Sequence, residues 1–153
     1  MTAKELLLKQ LQDCYSGDDE MSLMASLGDL PAEEAGWRMN KTTWTIAEIL
    51  YHLYSCEIEY CKQGFGKWQD AYPRPIGDID QMLALLANGQ DHLLDCLRGC
   101  TLDDLDAPIR VQHHGRSAAH FFWIMIMHRI SHAAQIRTLR RAYGSRTHYY
   151  PIS

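Results

Sequence analysis

The stretch FFWIMIMHRISHAAQIRTLRRAYG, Phe121 to Gly144, sets two histidines four residues apart inside an apolar run. On a helix, positions i and i+4 share a face, so His128 and His132 project together with their Cβ atoms about 5–6 Å apart. Two imidazoles at that spacing can hold one divalent metal ion, which then needs a further ligand from elsewhere in the chain. The sequence has eight histidines in 153 residues, and such a pair then arises about 0.4 times by chance, so spacing alone is weak and context must decide. The context is burial. Each ring nitrogen left unsatisfied in an apolar interior costs about 1–3 kcal/mol, which a shared cation offsets.

The third ligand suggested by the residues is His52, in TWTIAEILYHLYSCEIEY. It follows Ile49 by three positions and adjoins Leu53, at the edge of an apolar stripe that faces other helices. Three neutral histidines with water in the remaining positions make an open site, able to activate that water or to polarise a substrate oxygen or sulfur. The competing reading of each ring is a hydrogen-bonded core histidine. Cys56, one turn after His52, offers a soft fourth ligand that would make the site more closed and structural. Gln135 shares the face of His132 and can hydrogen-bond a ligand ring or serve helix packing. Glu48 and Glu59 lie near the His52 face as acceptors for a ring N–H, or as exposed helix charges.

Other residues of the same types are weaker candidates. His92, Cys96 and Cys100 recur every four residues, but Gly99 argues against a helix that continues through them. His113, His114 and His120 fall near the turn into the last helix, as solvated loop or cap residues or as ligands and proton shuttles. Phe122, Trp123, Met125 and Met127 read as core first and as pocket wall second.

The elements that must carry these residues are helices. Leu6, Leu7, Leu11 and Cys14 mark a first helix over Ala3 to Tyr15, and a short helical piece follows around Asp19 to Leu27. Pro31 opens another short turn, and Thr43 or Thr45 caps a helix running to Gln63, with Gly64 as its stop. A third long helix starts near Asp78, is interrupted at Asn88-Gly89 and ends at Gly99. Thr101 to Asp104 has capping-box spacing, and an alternating segment after Pro108 reads as a bent extended loop. Ser117 opens the last helix, which Gly144 terminates after the cationic turn Arg137, Arg140 and Arg141. Four long helices without a convincing sheet predict an all-α fold, a four-helix bundle with short helical turns in its connections.

Bulk properties narrow the partners. With 46% hydrophobic residues, the 153-residue chain is expected to form one domain over 1–153. A net charge of −4 and a pI near 6.0 give no polyanion-binding surface, so nucleic acid is an unexpected partner. No run reaches the length of a membrane span, and Lys4 and Lys9 break the N-terminal apolar residues, unlike a signal peptide. The five cysteines, Cys14, Cys56, Cys61, Cys96 and Cys100, are read as reduced in a cytoplasmic protein.

The phrase WTIAEILYHLYSCE followed far downstream by MHRISHAAQIRTLRRAYG resembles the DinB/YfiT-like superfamily of small bacterial four-helix proteins. The resemblance spans nearly the whole chain in length and helix order. The family pattern of H-x-x-x-H, then Gln-Ile and an arginine before Gly, is met by His128, His132, Gln135, Ile136, Arg140 and Gly144. Its second-helix histidine falls on His52, after Trp44 to Ile49. The resemblance implies a divalent metal, zinc or nickel, held by His52, His128 and His132. It also implies an up-down-down-up bundle, frequent homodimers, and hydrolase-like activity or transfer of a low-molecular-weight thiol on a small molecule.

Overall fold

The computed structural model describes residues 1–17, 21–66, 78–112 and 114–145. The described residues are predominantly helical, and the class is all-α. The elements are α1 (Ala3–Ser16), α2 (Leu23–Leu27), α3 (Ala32–Gly36), α4 (Ile46–Phe65), α5 (Ile79–Gly99), α6 (Leu102–Asp106), β1 (Pro108–Val111), β2 (His114–Ser117) and α7 (Ala118–Tyr143). Among the described residues no helix is long and apolar enough to cross a membrane.

Local chemistry explains most boundaries. Thr45, rather than Thr43, caps α4: its hydroxyl accepts from the Glu48 N–H, while the Glu48 carboxylate accepts from the Thr45 N–H. The same reciprocal box forms at Thr101 and Asp104 in front of α6, and at Thr2 and Glu5 in front of α1. Ser117 caps α7, and Gly144 closes it in the left-handed region.

Several expectations are corrected. Helix α4 runs through Gly64 and stops at Gly66, whose φ of 63° suits a residue without a side chain. Gly64 serves a different purpose, since a Cβ there would come within 3.1 Å of Ile109 and 3.4 Å of Val111. The extended segment is a two-stranded antiparallel hairpin, with Pro108 opposite Ser117 and Val111 opposite His114, and it lies on α4 at this glycine. Asn88-Gly89 does not interrupt α5, where Gly89 lies against Tyr54 and Glu57 inside a continuous helix. Arg140 lies in the basic last turn of α7, as expected, but turns away from solvent. It is buried, paired with Glu34, and donates to the Leu27 carbonyl, fastening α2 and α3 to the end of α7.

The long helices meet in a ring, with α4 against α5 and α7, and α1 against α5 and α7. Ala47 faces Ile79 and Met82 in a small pocket, Tyr54 and Glu57 face Gly89, and Cys61 hydrogen-bonds Cys96. Lys4 donates to the Arg98 and Cys100 carbonyls, and Gln90 to the Leu11 carbonyl. Phe65 packs on Phe121 and Phe122, with ring centroids 5.4 and 5.5 Å away. Phe122 and Met125 are core residues, whereas Trp123 and Met127 are exposed, because the inward stripe of α7 runs through 122, 125, 126, 129 and 133.

At the centre of the ring lies a buried ion pair. Arg129 Nε donates to Glu57 Oε1, and its Nη1 donates to the Gln90 side-chain carbonyl and the Leu11 backbone carbonyl. One guanidinium therefore touches α1, α4, α5 and its own α7. Breaking a buried pair from one side strands the other charge in a low-dielectric interior. Arg129→Met in metal-free protein is expected to lower the unfolding free energy by about 3–5 kcal/mol, and Glu57→Met/Arg129→Met to recover much of that loss. Urea titration of the two variants checks this; a single variant as stable as the parent would show that Glu57 needs no charged partner.

Candidate metal centre

His52 lies two turns into α4, while His128 and His132 lie on successive turns of α7. The packing of these helices brings the three rings together, with centroid separations of 5.1 Å for His52–His128, 5.0 Å for His52–His132 and 4.6 Å for His128–His132. Their Nε2 atoms point inward. His128 Nε2 lies 3.1 Å from His52 Nε2 and 3.0 Å from His132 Nε2.

Protons alone do not satisfy this arrangement. His132 Nδ1 is 2.7 Å from the Gln135 side-chain oxygen, so Nδ1 carries the hydrogen and Nε2 offers its lone pair. A neutral His128 has one N–H for two close nitrogen neighbours, and its buried Nδ1 has no hydrogen-bond partner among the described residues. A divalent ion accepts all the inward lone pairs at once. With metal–nitrogen bonds of about 2.0–2.1 Å, two nitrogen ligands lie about 2.9 Å apart at a right angle and about 3.3 Å apart in a tetrahedron. The observed 3.0 and 3.1 Å fall between these values. The donor set thus fits a first-row divalent ion.

The electrostatics suit neutral rings. Burial pushes the His128 ring down to about 4, with the neighbouring His132, His52 and Arg129 adding to the effect. Burial lowers His52 and His132 as well, helped at His52 by His132 and opposed at His132 by the Gln135 hydrogen bond. Neutral imidazole is the form that ligates metal.

Cys56 joins the group from the next turn of α4. Its Sγ is 3.6 Å from His52 Nδ1 and 3.8 Å from Nε2. Donor atoms of His52, Cys56 and His128 all lie within 4.8 Å of one another. His132 extends the cluster through its contact with His128. Burial pushes the Cys56 thiol up, the Tyr60 hydrogen bond opposing it.

The remaining candidates sit apart from this cluster. Glu48 is held by the Thr45 cap and Arg38, the backbone hydrogen bond from Thr45 lowering its carboxyl, and Glu59 accepts from Gln63. Neither orients a ligand ring, a task that falls to Gln135 on α7. Cys96 and Cys100 are core residues at the end of α5, and Cys100 donates to the Cys96 carbonyl instead of pointing with His92 at a common centre. His120 is exposed beside Trp123, His114 contributes backbone to β2, and His113 lies outside the described residues.

Trp44 was not singled out by sequence reasoning, yet its ring lies 4.9 Å from that of His52 and stacks at 6.5 Å on His132, with 14° between planes. A signal was present. Thr45 is the helix cap, so Trp44 and Ile49 occupy the two positions of a hydrophobic staple, and both line one cleft. That cleft, about 650 Å³, is bounded also by Met39, Thr43, Gln135 and Leu139, and it reaches His52 and His132.

A sequence model of the DinB superfamily matches residues 18–136, a span holding His52, Cys56, His128, His132 and Gln135. The chain belongs to the DinB superfamily. No curated protein and no solved structure matches it significantly. In this DinB-superfamily chain Gln135 holds the His132 ring from outside the histidine cluster. Partners of that kind typically contribute 10–100-fold to metal affinity. Gln135→Leu is therefore expected to weaken zinc binding by about 10–100-fold in competition with a chromogenic chelator, with little change in metal-free stability. Equal affinity in the variant would remove Gln135 from the site.

Proposed function

We propose that the protein is a divalent-metal-dependent enzyme, a hydrolase or a low-molecular-weight-thiol transferase acting on a small molecule, with zinc or nickel held by His52, His128 and His132. The observation that carries this reading is the convergence of three imidazoles, with their lone pairs inward, at the edge of an open cleft. When bound, such an ion supplies Lewis acidity, bringing the pKa of a coordinated water or substrate thiol toward neutrality. The chain supplies the rest. Gln135 fixes the tautomer of His132, Trp44 shields the His52 and His132 rings, and Met39, Ile49 and Leu139 give a small substrate an apolar bed.

The same reading takes residues 1–153 as one up-down-down-up bundle. Its support is the set of pairings between the long helices. Early α4 meets early α5 and late meets late, while Lys4 of α1 meets the end of α5 and Phe65 of α4 meets the start of α7. A homodimer belongs to the proposal through the family resemblance, and a cytoplasmic location through the reading of the five cysteines as reduced. The rival is a non-catalytic bundle in which the metal is structural, favoured by one observation, the nearness of Cys56 to the cluster.

Chelator-stripped protein, reconstituted with zinc or nickel, should regain activity against panels of neutral esters and amides or of thiol-acceptor electrophiles. His52→Ala should lose metal and activity together. Activity retained in full after metal removal would end the metal-dependent reading, and unfolding on chelation without any activity would favour the structural rival.

A further inference from the structure

We infer that the cleft beside the histidines takes a neutral secondary carboxamide carrying an aromatic group, and that the reaction is hydrolysis of its amide bond. The inference rests on the metal-centre reading above and names its substrate class. The cleft, about 650 Å³, has the size of a pocket for a small organic molecule. Among the described residues no Asp, Glu, Lys or Arg lines it. Arg38, beside Met39 in the chain, is engaged by the Glu48 carboxylate and the Thr43 carbonyl. An amino-acid-derived thiol would bring an ionised carboxylate or ammonium to lining side chains that offer no counter-charge, so the cleft favours the hydrolytic alternative.

The polar atoms of the cleft select the amide. Gln135 Oε1 accepts from His132 Nδ1 at 2.7 Å, so its amide nitrogen keeps two hydrogens with no partner among the described residues. The threonines are the opposite case. Thr138 gives its hydroxyl hydrogen to the Ala134 carbonyl at 3.0 Å, Thr42 gives its own to Asn40 Oδ1 at 2.9 Å, and Thr43 to the Asn40 carbonyl at 3.2 Å. Their oxygens therefore line the cleft as acceptors, while Gln135, next to the histidines, is a donor. Gln135 and Thr138, at i and i+3 on α7, set donor and acceptor side by side. A secondary amide presents the complement on one plane, a carbonyl that accepts and an N–H that donates. An ester replaces that N–H by an oxygen, a second acceptor facing acceptors.

The apolar wall suits a flat group. Trp44 is 48% exposed and Met39 45%, on a loop that Asn40 Oδ1 holds by accepting from the Thr42 and Thr43 N–H groups at 2.9 and 3.1 Å. A fixed, half-exposed indole is a stacking platform for an aromatic ring, and the Met39 thioether adapts to the edge of that ring. In the hydrolysis a bond forms between a water oxygen and the carbonyl carbon, and the C–N bond breaks with its electron pair passing to nitrogen. One water proton ends on that nitrogen, and a carboxylic acid and an amine result without any change of oxidation state.

Binding to the chelator-stripped full chain tests the substrate class apart from the metal, with N-phenylacetamide, phenyl acetate and benzoate as probes and the indole N–H resonance of Trp44 as the readout. The expected result is that N-phenylacetamide binds, phenyl acetate binds roughly 3–10-fold more weakly for the lost hydrogen bond, and benzoate binds more weakly still. Thr138→Val should reduce the preference for the amide over the ester, and Trp44→Ala should weaken both. The zinc-loaded parent should release aniline from N-phenylacetamide. Equal affinity for amide and ester, tighter binding of benzoate to the metal-free chain, a preference unchanged in Thr138→Val, or no aniline from zinc-loaded protein that binds the amide overturns this assignment and leaves the metal centre standing. Amide binding as expected in a chain that takes up no zinc overturns the metal-centre reading, and the hydrolysis with it.

Discussion

The contact between Arg129 and Glu57 sets the distance on which the candidate centre depends. Arg129 follows His128 in the chain, and Glu57 follows Cys56. The ion pair joins α7 to α4 one residue away from a member of the cluster on each helix. Since the guanidinium also binds Gln90 of α5 and the Leu11 carbonyl of α1, sliding either helix would break charge-assisted hydrogen bonds in a dry interior. The inward stripe of α7 carries the pair, and the adjoining face carries the histidines. A rigid helix therefore turns the position of a structural charge into the position of a ligand.

The site is consequently asymmetric. Its inner side is the packed interior, where His128 is half-buried and its Nδ1 has no hydrogen-bond partner among the described residues. Its outer side is the cleft, where His132 is held by the exposed Gln135 and Trp44 leans over His52. Burial keeps the rings neutral from within, while the cleft gives a small molecule an approach from outside. The Arg140–Glu34 pair repeats the same device at the end of α7 and fixes α2 and α3, which precede the Met39 to Trp44 wall of that cleft.

Much of this was legible in the sequence where the cause is local. Thr45 with Glu48, Ser117 and Gly144 mark helix ends through neighbours a few residues away, and stripes such as Ile49, Leu50 and Leu53 follow the helical period. The spacing of His128 and His132 set the first question, the apolar stripe before His52 offered it as the third ligand, and the family resemblance pointed to the same residue. What escaped notice depends on partners distant in the chain. Nothing near Glu57 names Arg129, 72 residues away, and nothing near Arg140 names Glu34, so helical spacing alone announces neither buried pair. Gly64 looked like a stop because a packing glycine and a capping glycine are the same letter, and only the hairpin lying on α4 distinguishes them. Trp44 read as part of a helix-start pattern, although the cap that fixes the start also lays its ring across two histidines.

The central claim is that three imidazoles converge here to hold a divalent ion. Elemental analysis of purified, untagged protein beside a His128→Ala/His132→Ala variant tests it most directly. The account predicts close to one equivalent of zinc, nickel or another divalent metal per chain in the parent and none in the variant. A parent that stays empty after exposure to several divalent ions would contradict it, leaving the three rings as a hydrogen-bonded feature of the core.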